Sequence, residues 1–134
     1  MSEGPQEFVI YLELPPMGAK RARNAPNHKG VYTPLDYRAY KSRVAWLARS
    51  QFIFLPLTGP VRCDLTFYFA RPKKPKHPIY HITKPDRDNL DKGILDSLNG
   101  ICWVDDCQIA AGEIQKLYAP EGKAPGVEMR IKKL

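Results

Sequence analysis

The sequence has few cysteines and no long apolar run. Its three cysteines among 134 residues include no Cys-x-x-Cys pair, so the spacing excludes a disulfide framework and a structural zinc site. We expect Cys63, Cys102 and Cys107 to be free thiols in a reducing compartment. No apolar stretch approaches the ~20 residues of a membrane span, and no signal-peptide core stands at the N-terminus. These absences predict a cytoplasmic protein with no membrane partner.

Acidic residues are scarcer than basic ones, and neither internal repeats nor low-complexity tracts occur. The chain has 14 Asp and Glu against 21 Lys and Arg, a net charge of +7 and a pI near 9.4. This excess favours a polyanionic partner, either a nucleic acid or an anionic membrane surface. Hydrophobic residues make up 43% and charged residues 26%, an ordinary globular composition. The length corresponds to one domain.

Hydrophobic patterning predicts strands and helices in a mixed order. The strand at 8–14 ends in two prolines, and Pro34 opens the first helix while Gly100 ends the second. The predicted strands are 8–14, 31–33, 61–70, 109–117 and 127–131, and the predicted helices are 35–52 and 86–99. We predict a single compact α+β domain over residues 1–134, with a mixed β-sheet and two helices packed on it.

Two segments, 17–30 and 71–84, carry basic residues and no acid. Glycine, asparagine and proline predict that the first is a loop, and dense proline makes the second a rigid, strongly positive loop. Loops of this kind suit phosphate contacts. The candidate DNA-binding residues are Lys20, Arg21, Arg23, Lys73, Lys74, Lys76 and Lys84.

Six aspartates are concentrated in residues 86–106, in contrast to the basic loops. Such a cluster would repel a nucleic acid unless a bound cation lay between them. Carboxylate oxygens are hard ligands suited to Mg²⁺ or Mn²⁺, and Mg²⁺ commonly binds between protein acids and substrate phosphates. From these residues, the chain is either a metal-dependent enzyme acting on phosphodiesters or a binding protein that is acidic in one place.

Two pairs of aspartates are the candidate metal ligands. Asp86 and Asp88 flank one residue at the predicted start of the second helix, and Asp105-Asp106 follow that helix after a short turn. If the next strand packs alongside, these carboxylates can meet, and like charges at such short range require a cation. Lys92 lies one helical turn after Asp88. It could neutralise the carboxylates or contact a scissile phosphate.

Each of these residues also has an ordinary structural explanation. Asp86 or Asp88 could simply cap the helix. Asp105-Asp106 could form a surface turn. Lys92 could pair with an aspartate four residues away.

The other polar and aromatic residues of these segments are expected to be structural or exposed. We predict that Asp91 and Asp96 are solvated and that Trp103 belongs to the core or to an interface. The three histidines have no helical spacing that would suit a metal site. For His28, His77 and His81 we therefore expect phosphate contact or plain exposure.

The segment KPDRDNLDKGILDSLNGICWVDDCQI, residues 84–109, carries a recognisable pattern. It resembles the signature of the RusA family of Holliday-junction resolvases: an Asp-x-Asp-Asn-Leu-x-Lys helix start, an apolar helix with Asp and Leu, and a turn ending in Asp-Asp-x-Gln. The strand ending in two prolines, followed by a basic loop and a helix, is similar to how such chains begin. The chain departs from some members in having Lys84 and then Pro85 before the first aspartate.

The resemblance implies a small homodimeric endonuclease, Mg²⁺-dependent and often encoded by phages or prophages. Such an enzyme acts in DNA recombination and repair and resolves four-way junctions by paired symmetric nicks. By matching position, it implies that the metal-binding acids are Asp86, Asp88 and Asp106. It places Asp105 as the neighbouring acid of the same pair and Lys92 as the lysine needed for catalysis.

The resemblance also frames how the DNA would be bound. Basic loops that grip phosphates give affinity that falls steeply with salt, and junction choice would come from shape. Apolar residues 52–55 or a face of the sheet are expected to form the dimer surface. Two other function classes stay open: a non-catalytic nucleic-acid-binding module, and a metal-dependent nuclease for another substrate such as flaps or RNA.

Overall fold

A computed structural model describes residues 6–21, 23–24, 31–32 and 34–134. Within these residues the chain forms two α-helices, one 3₁₀ turn and seven strands. They are β1 (Glu7–Leu12), β2 (Arg23–Asn24), β3 (Val31–Tyr32), α1 (Leu35–Gln51), β4 (Val61–Phe69), α2 (Arg87–Leu98), the 3₁₀ turn (Asp106–Gln108), β5 (Ile109–Ala111), β6 (Ile114–Tyr118) and β7 (Gly126–Lys133).

Five of the strands form one mixed sheet. β7 lies between β1 and β4 and runs antiparallel to both. β5 and β6 pair with β4 in parallel orientation, which requires the crossover that α2 provides between them. β2 and β3 pair separately as a two-stranded ribbon. The predicted class, a single α+β domain with a mixed sheet and two helices, is confirmed.

One face of the sheet is buried under the helices. Side chains alternate along a strand, so every second residue of β4 from Val61 to Phe67 is buried. The helices contribute apolar stripes at the spacing of about 3.6 residues that the sequence predicts. Their buried residues are Tyr37, Tyr40, Val44 and Ala48 on α1, and Leu90, Gly93, Ile94 and Leu98 on α2.

Several local predictions are confirmed. Both helices end within a residue of their predicted bounds, and Gly100 follows α2 with a φ of 79°. Trp103 is fully buried, and its indole N–H donates to Asn99 Oδ1 at 3.0 Å. The three cysteines are free, and only Cys107 is exposed. Among the residues that the structure describes, no helix is long and apolar enough to cross a membrane.

The predicted strand at 109–117 is instead two strands interrupted at Gly112 and Glu113. Gly112 has a φ of 151°, and a Cβ there would lie 1.9 Å from the carbonyl oxygen of Cys63. The next N–H, of Glu113, donates to Asp64 Oδ1 at 2.8 Å. The Asp64 side chain on β4 therefore accepts a hydrogen bond that a backbone carbonyl of β4 would otherwise accept. The backbone pairing along β4 is interrupted there, between β5 and β6.

The prediction that residues 17–30 form a loop throughout was also wrong in part. Arg23–Asn24 form β2, whose partner β3 (Val31–Tyr32) lies within the predicted short strand 31–33. Strands of two residues are too short to produce an alternating pattern, so the sequence gives no signal for them. The predictions for His28 and Thr33 lie outside the residues that the structure describes.

Candidate active site

The start of α2 carries two carboxylates that form no side-chain hydrogen bond or ion pair within the part of the chain that the structure describes. Asp86 occupies the N-cap position, but its side chain makes no capping hydrogen bond. Only its backbone carbonyl is used there, accepting from the N–H of Leu90 at 3.1 Å. Asp88 lies in the first turn, and both aspartates are exposed. Simple capping therefore does not account for Asp86, and carboxylates at a helix N-terminus are favoured by the helix dipole.

A cleft of about 570 Å³ is lined by both helices and by residues 19–21, and its walls carry charges of both signs. α2 contributes Asp88, Lys92 and Asp96 to its walls. Among the described residues, Lys92 forms no ion pair with either aspartate. The simple pairing of Lys92 within its own helix is thus absent, and its ammonium group is available to a ligand.

Two residues of α1 complete this cleft and were not anticipated. Tyr37 and Lys41 both line it, and the Lys41 ammonium lies 4.9 Å from the centroid of the Tyr37 ring. Burial, and then the charge of Asp96, raise the pKa of Tyr37. Tyr37 belongs to the buried face of α1, and nothing in the local sequence indicates that this helix borders the acidic segment.

The second aspartate pair is held in place by Gln108, the last residue of the Asp-Asp-x-Gln motif. Its Nε2 donates to the carbonyl oxygens of Leu57 and Gly59, at 2.9 Å each. Its Oε1 accepts from the N–H of Asp105 at 2.9 Å. The glutamine therefore ties the turn to the segment before β4 and holds the backbone of Asp105.

The two carboxylates of this pair have different surroundings. Interaction first with the Asp106 carboxyl group and then with the Cys107 thiol lowers the pKa of Asp105. The same interaction with Asp105, followed by burial and by the charge of Asp105, raises the pKa of Asp106. The charge of Asp96 adds to this rise and the Asn99 side chain opposes it, so the surroundings of Asp106 include α2 and the residue after it, whereas those of Asp105 lie within its own turn.

Asp91 is a feature that the sequence prediction missed. Asp96 is exposed as predicted, but Asp91 is half-buried, and burial followed by the charges of Asp106 and Asp96 raises its pKa. It lines a hollow of about 600 Å³ with Asp88 and Glu113. The spacing of three residues predicts that Asp91 and Asp88 lie on the same side of α2. The spacing does not predict the burial of Asp91, which depends on the strand segments opposite the helix.

The predicted metal ligands are not gathered into one closed group. Asp86 and Asp88 lie at the start of α2, and Asp106 faces the part of α2 that carries Asp91 and Asp96. In the described part of the chain, no three His, Cys, Asp or Glu side chains lie close enough to hold a metal ion. The donors are nevertheless carboxylates, and Mg²⁺ is typically held by one or two carboxylates together with waters and substrate phosphates. The residues present fit such an open site.

The predicted DNA-binding residues lie in four different places. Lys20 and Arg21 line the cleft between the helices, and Lys20 is also paired with Asp36. Lys84 borders a hollow that includes Asp86. On the second basic loop, three predicted residues are exposed: Lys73, Lys74 and Lys76. Arg23 lies in β2, and its side chain is not among those that the structure describes.

His81 contradicts the expectation of a solvent-exposed or phosphate-binding histidine. Its ring stacks on Phe69, with centroids 3.7 Å apart and planes 8° apart. Burial, and then the charge of Lys116, lower the pKa of His81. The residue therefore anchors the second basic loop to the sheet. His77, by contrast, is exposed as predicted.

Comparison with known proteins agrees with the sequence motif. The family model described as endodeoxyribonuclease RusA matches residues 13–132, which is most of the chain and includes both aspartate pairs. The chain is also similar to a protein of Bacillus subtilis (strain 168) that is described as the uncharacterized protein YqaN. The two are 30% identical, and the alignment covers 96% of each chain.

Proposed function

Because this chain belongs to the RusA family of endodeoxyribonucleases, which resolve Holliday junctions, we propose that it is a Mg²⁺-dependent enzyme that cuts four-way junctions by paired symmetric nicks. The observation that carries the proposal is the start of α2, where Asp86 and Asp88 neither cap the helix nor form ion pairs among the described residues. Asp88 lines the mixed-charge cleft together with Lys92, Lys20 and Arg21. Exposed carboxylates beside lysine and arginine side chains suit a site in which a metal ion bridges the protein and a substrate phosphate.

In the proposed site, Asp86, Asp88 and Asp106 hold the metal, with Asp105 supporting the turn. A bound Mg²⁺ would supply charge neutralisation at the phosphate and a more acidic water. Lys92 extends from the same helix as Asp88 and lines the cleft beside it. Its ammonium can donate to a non-bridging oxygen of the scissile phosphate, where negative charge increases in the transition state.

The remaining parts of the proposal concern binding. Lys20, Arg21 and Lys84 border the acidic residues and would hold phosphates flanking the cleaved bond. A homodimer would present two such sites related by a two-fold axis, which matches the near two-fold symmetry of a four-way junction. Resolution of chromosomal or phage DNA implies a cytoplasmic site of action.

The dimer surface stays a prediction. Of residues 52–55, Phe52 is only 4% exposed and stacks on Phe8 at 4.6 Å between centroids, so it belongs to the core. Ile53 and Leu55 are exposed and are the members of that segment available to a partner. The face of the sheet opposite the helices is the other candidate.

The experiment that tests the proposal separates binding from cleavage. Asp88→Asn removes one charge from the proposed metal site, and we expect it to bind a labelled four-way junction but to cleave none of it in Mg²⁺. Glu7→Gln on β1 is the matched control, since it also neutralises an exposed acid and should cleave as the wild type does. Cleavage by Asp88→Asn at the wild-type rate would contradict the ligand role.

The same assay distinguishes the other function classes. Tight binding by the wild type that is independent of Mg²⁺ and gives no product at any metal concentration would indicate a non-catalytic binding module. Preferred cleavage of flaps or RNA in a panel of labelled substrates would keep the metal site and replace the substrate. Either result would overturn the junction-resolving proposal.

A further inference from the structure

The second basic loop follows the outer edge of β6. The N–H of Tyr118 donates to the Ile79 carbonyl oxygen at 2.9 Å, and the N–H of His81 donates to the Lys116 carbonyl oxygen at 3.0 Å. Lys116 Nζ then donates to the Thr83 carbonyl oxygen at 2.6 Å. The loop therefore runs along the sheet edge, with residues 82–84 next to the proposed active site and residues 71–76 at the far end.

At that far end the loop meets the turn between β6 and β7. Arg71 and Lys73 line a hollow of about 450 Å³ together with Lys123 of that turn. We call these three residues the distal basic cluster. All three are exposed, and the hollow contains one acid, Glu121. Among the described residues, Lys73 and Lys123 form no ion pair.

The backbone around the cluster is fixed rather than free. Arg71 Nη1 donates to the Pro78 carbonyl oxygen at 2.7 Å. In the turn, the N–H of Lys123 donates to the Pro120 carbonyl oxygen at 2.9 Å. Three prolines, at 72, 120 and 125, also line the hollow and restrict its backbone. Cations held on a pre-ordered backbone lose less conformational entropy on binding a polyanion.

We propose that the distal basic cluster binds the backbone of a duplex arm of the junction, at a distance from the cleaved phosphate. This inference rests on the proposed function and extends it. Charge complementarity and continuity support it: the loop that carries Arg71 and Lys73 leads directly to Lys84 and Asp86, and residues 71–84 contain no acid. Lys123 belongs to this DNA surface although its own segment has no basic pattern.

The length of β6 sets where along the arm the contact falls. Ile114 borders the hollow that contains Asp88, and Pro120 borders the distal one. Six residues of extended chain span about 20 Å. For a duplex arm that runs along β6, and since B-DNA rises ~3.4 Å per base pair, the contacted phosphates lie about 4–6 base pairs from the cleaved one.

The test combines a protein change with a DNA change. A synthetic four-way junction carries neutral methylphosphonate linkages about 4–6 base pairs from the cleaved linkage in each arm, and a second junction carries them near the arm ends. Affinities are measured in EDTA, so that cleavage does not intervene. The proteins compared are the wild type, the Lys73→Ala/Lys123→Ala variant, and Arg49→Ala, which removes an exposed cation from the last turn of α1.

We expect the wild type to lose affinity when the inner phosphates are neutral. The double variant should lose much less affinity, because it already lacks the two lysines that would contact those phosphates. The slope of log affinity against log salt should become less steep by about 1.8 in the double variant. Arg49→Ala should respond to the methylphosphonates as the wild type does. Equal losses in wild type and double variant would overturn the inference.

Failure of this inference is separable from failure of the proposed function. Binding in EDTA does not depend on the metal site, so the coupling between Lys123 and the inner phosphates can be present in a protein that cuts nothing. Conversely, normal Mg²⁺-dependent cleavage with no such coupling would refute the distal contact alone. A stronger effect of linkages near the arm ends than of the inner ones would also refute it.

Discussion

Replacing Gln108 should reveal how the turn that carries Asp106 is held. Gln108→Ala removes three hydrogen bonds: two donated to the carbonyl oxygens of Leu57 and Gly59, and one accepted from the Asp105 N–H. The bond to Leu57 is partly buried and the other two are exposed. Since a typical net contribution is ~0.5–1.5 kcal/mol and exposed bonds lie at the low end, we expect a loss of about 2 kcal/mol.

The assay measures both thermal stability and junction cleavage. For a chain of this size, ~1 kcal/mol corresponds to a Tm shift of about 3–5 °C, so thermal unfolding should begin roughly 6–10 °C lower. Junction cleavage should lose kcat at temperatures where the variant is folded, while binding in EDTA is retained. Gln108→Glu keeps an acceptor for the Asp105 N–H but places a carboxylate oxygen against the carbonyl oxygens of Leu57 and Gly59. Because acceptors repel one another, it should be at least as destabilised as Gln108→Ala.

Two results would refute this reasoning. A Tm of Gln108→Ala within about 2 °C of the wild type, well below the ~6 °C estimated from three hydrogen bonds, would show that the tether contributes little. Full cleavage activity in a variant with a lowered Tm would show that the glutamine stabilises the fold without positioning Asp106. Gln115→Ala on β6 gives the baseline for losing an exposed glutamine side chain.

Three further predictions follow from individual contacts. Gly112→Ala should lower the free energy of unfolding by about 3 kcal/mol or more, measured by urea denaturation, because its Cβ would overlap the Cys63 carbonyl and strain the backbone. The pKa of His81, measured by NMR, should lie below the usual ~6.5, because burial favours the neutral ring. The neutral ring therefore contributes to stability at a pH above the pKa of histidine in the unfolded chain, and this contribution is lost as the pH falls through the lowered pKa of the folded state. Mg²⁺ should raise the Tm of the wild type and leave that of Asp88→Asn nearly unchanged, since only a ligand bound by the folded state stabilises it; an equal rise in both would count against Asp88 as a ligand.

The helices and their functional residues were predictable because their signals are local. The period of about 3.6 residues, a proline before α1 and a glycine after α2 predict the helix bounds to within a residue. Asp86, Asp88 and Lys92 therefore had known relative positions before any tertiary contact was considered. The motif glutamine was visible too, but its role in holding Asp105 depends on carbonyl groups at 57 and 59.

The features that escaped prediction all depend on contacts between distant segments. The break at Gly112 exists because the Asp64 side chain accepts from the next residue's N–H. The half-burial of Asp91 depends on the start of β6 opposite it. Lys123 lies beside Arg71 and Lys73 of the basic loop because β4 and β6 end side by side in the sheet. None of these leaves a periodic or compositional signal in the chain.

The most direct test of the central claim uses the unmodified protein. It is incubated with a labelled synthetic four-way junction and with a linear duplex of the same arms, in Mg²⁺ and in EDTA. The account predicts paired, symmetric nicks in the junction only, and no product in EDTA. Binding of the junction without cleavage in Mg²⁺ or Mn²⁺ would contradict the assignment as an active resolvase, and equal cleavage of the linear duplex would contradict its selectivity for junctions.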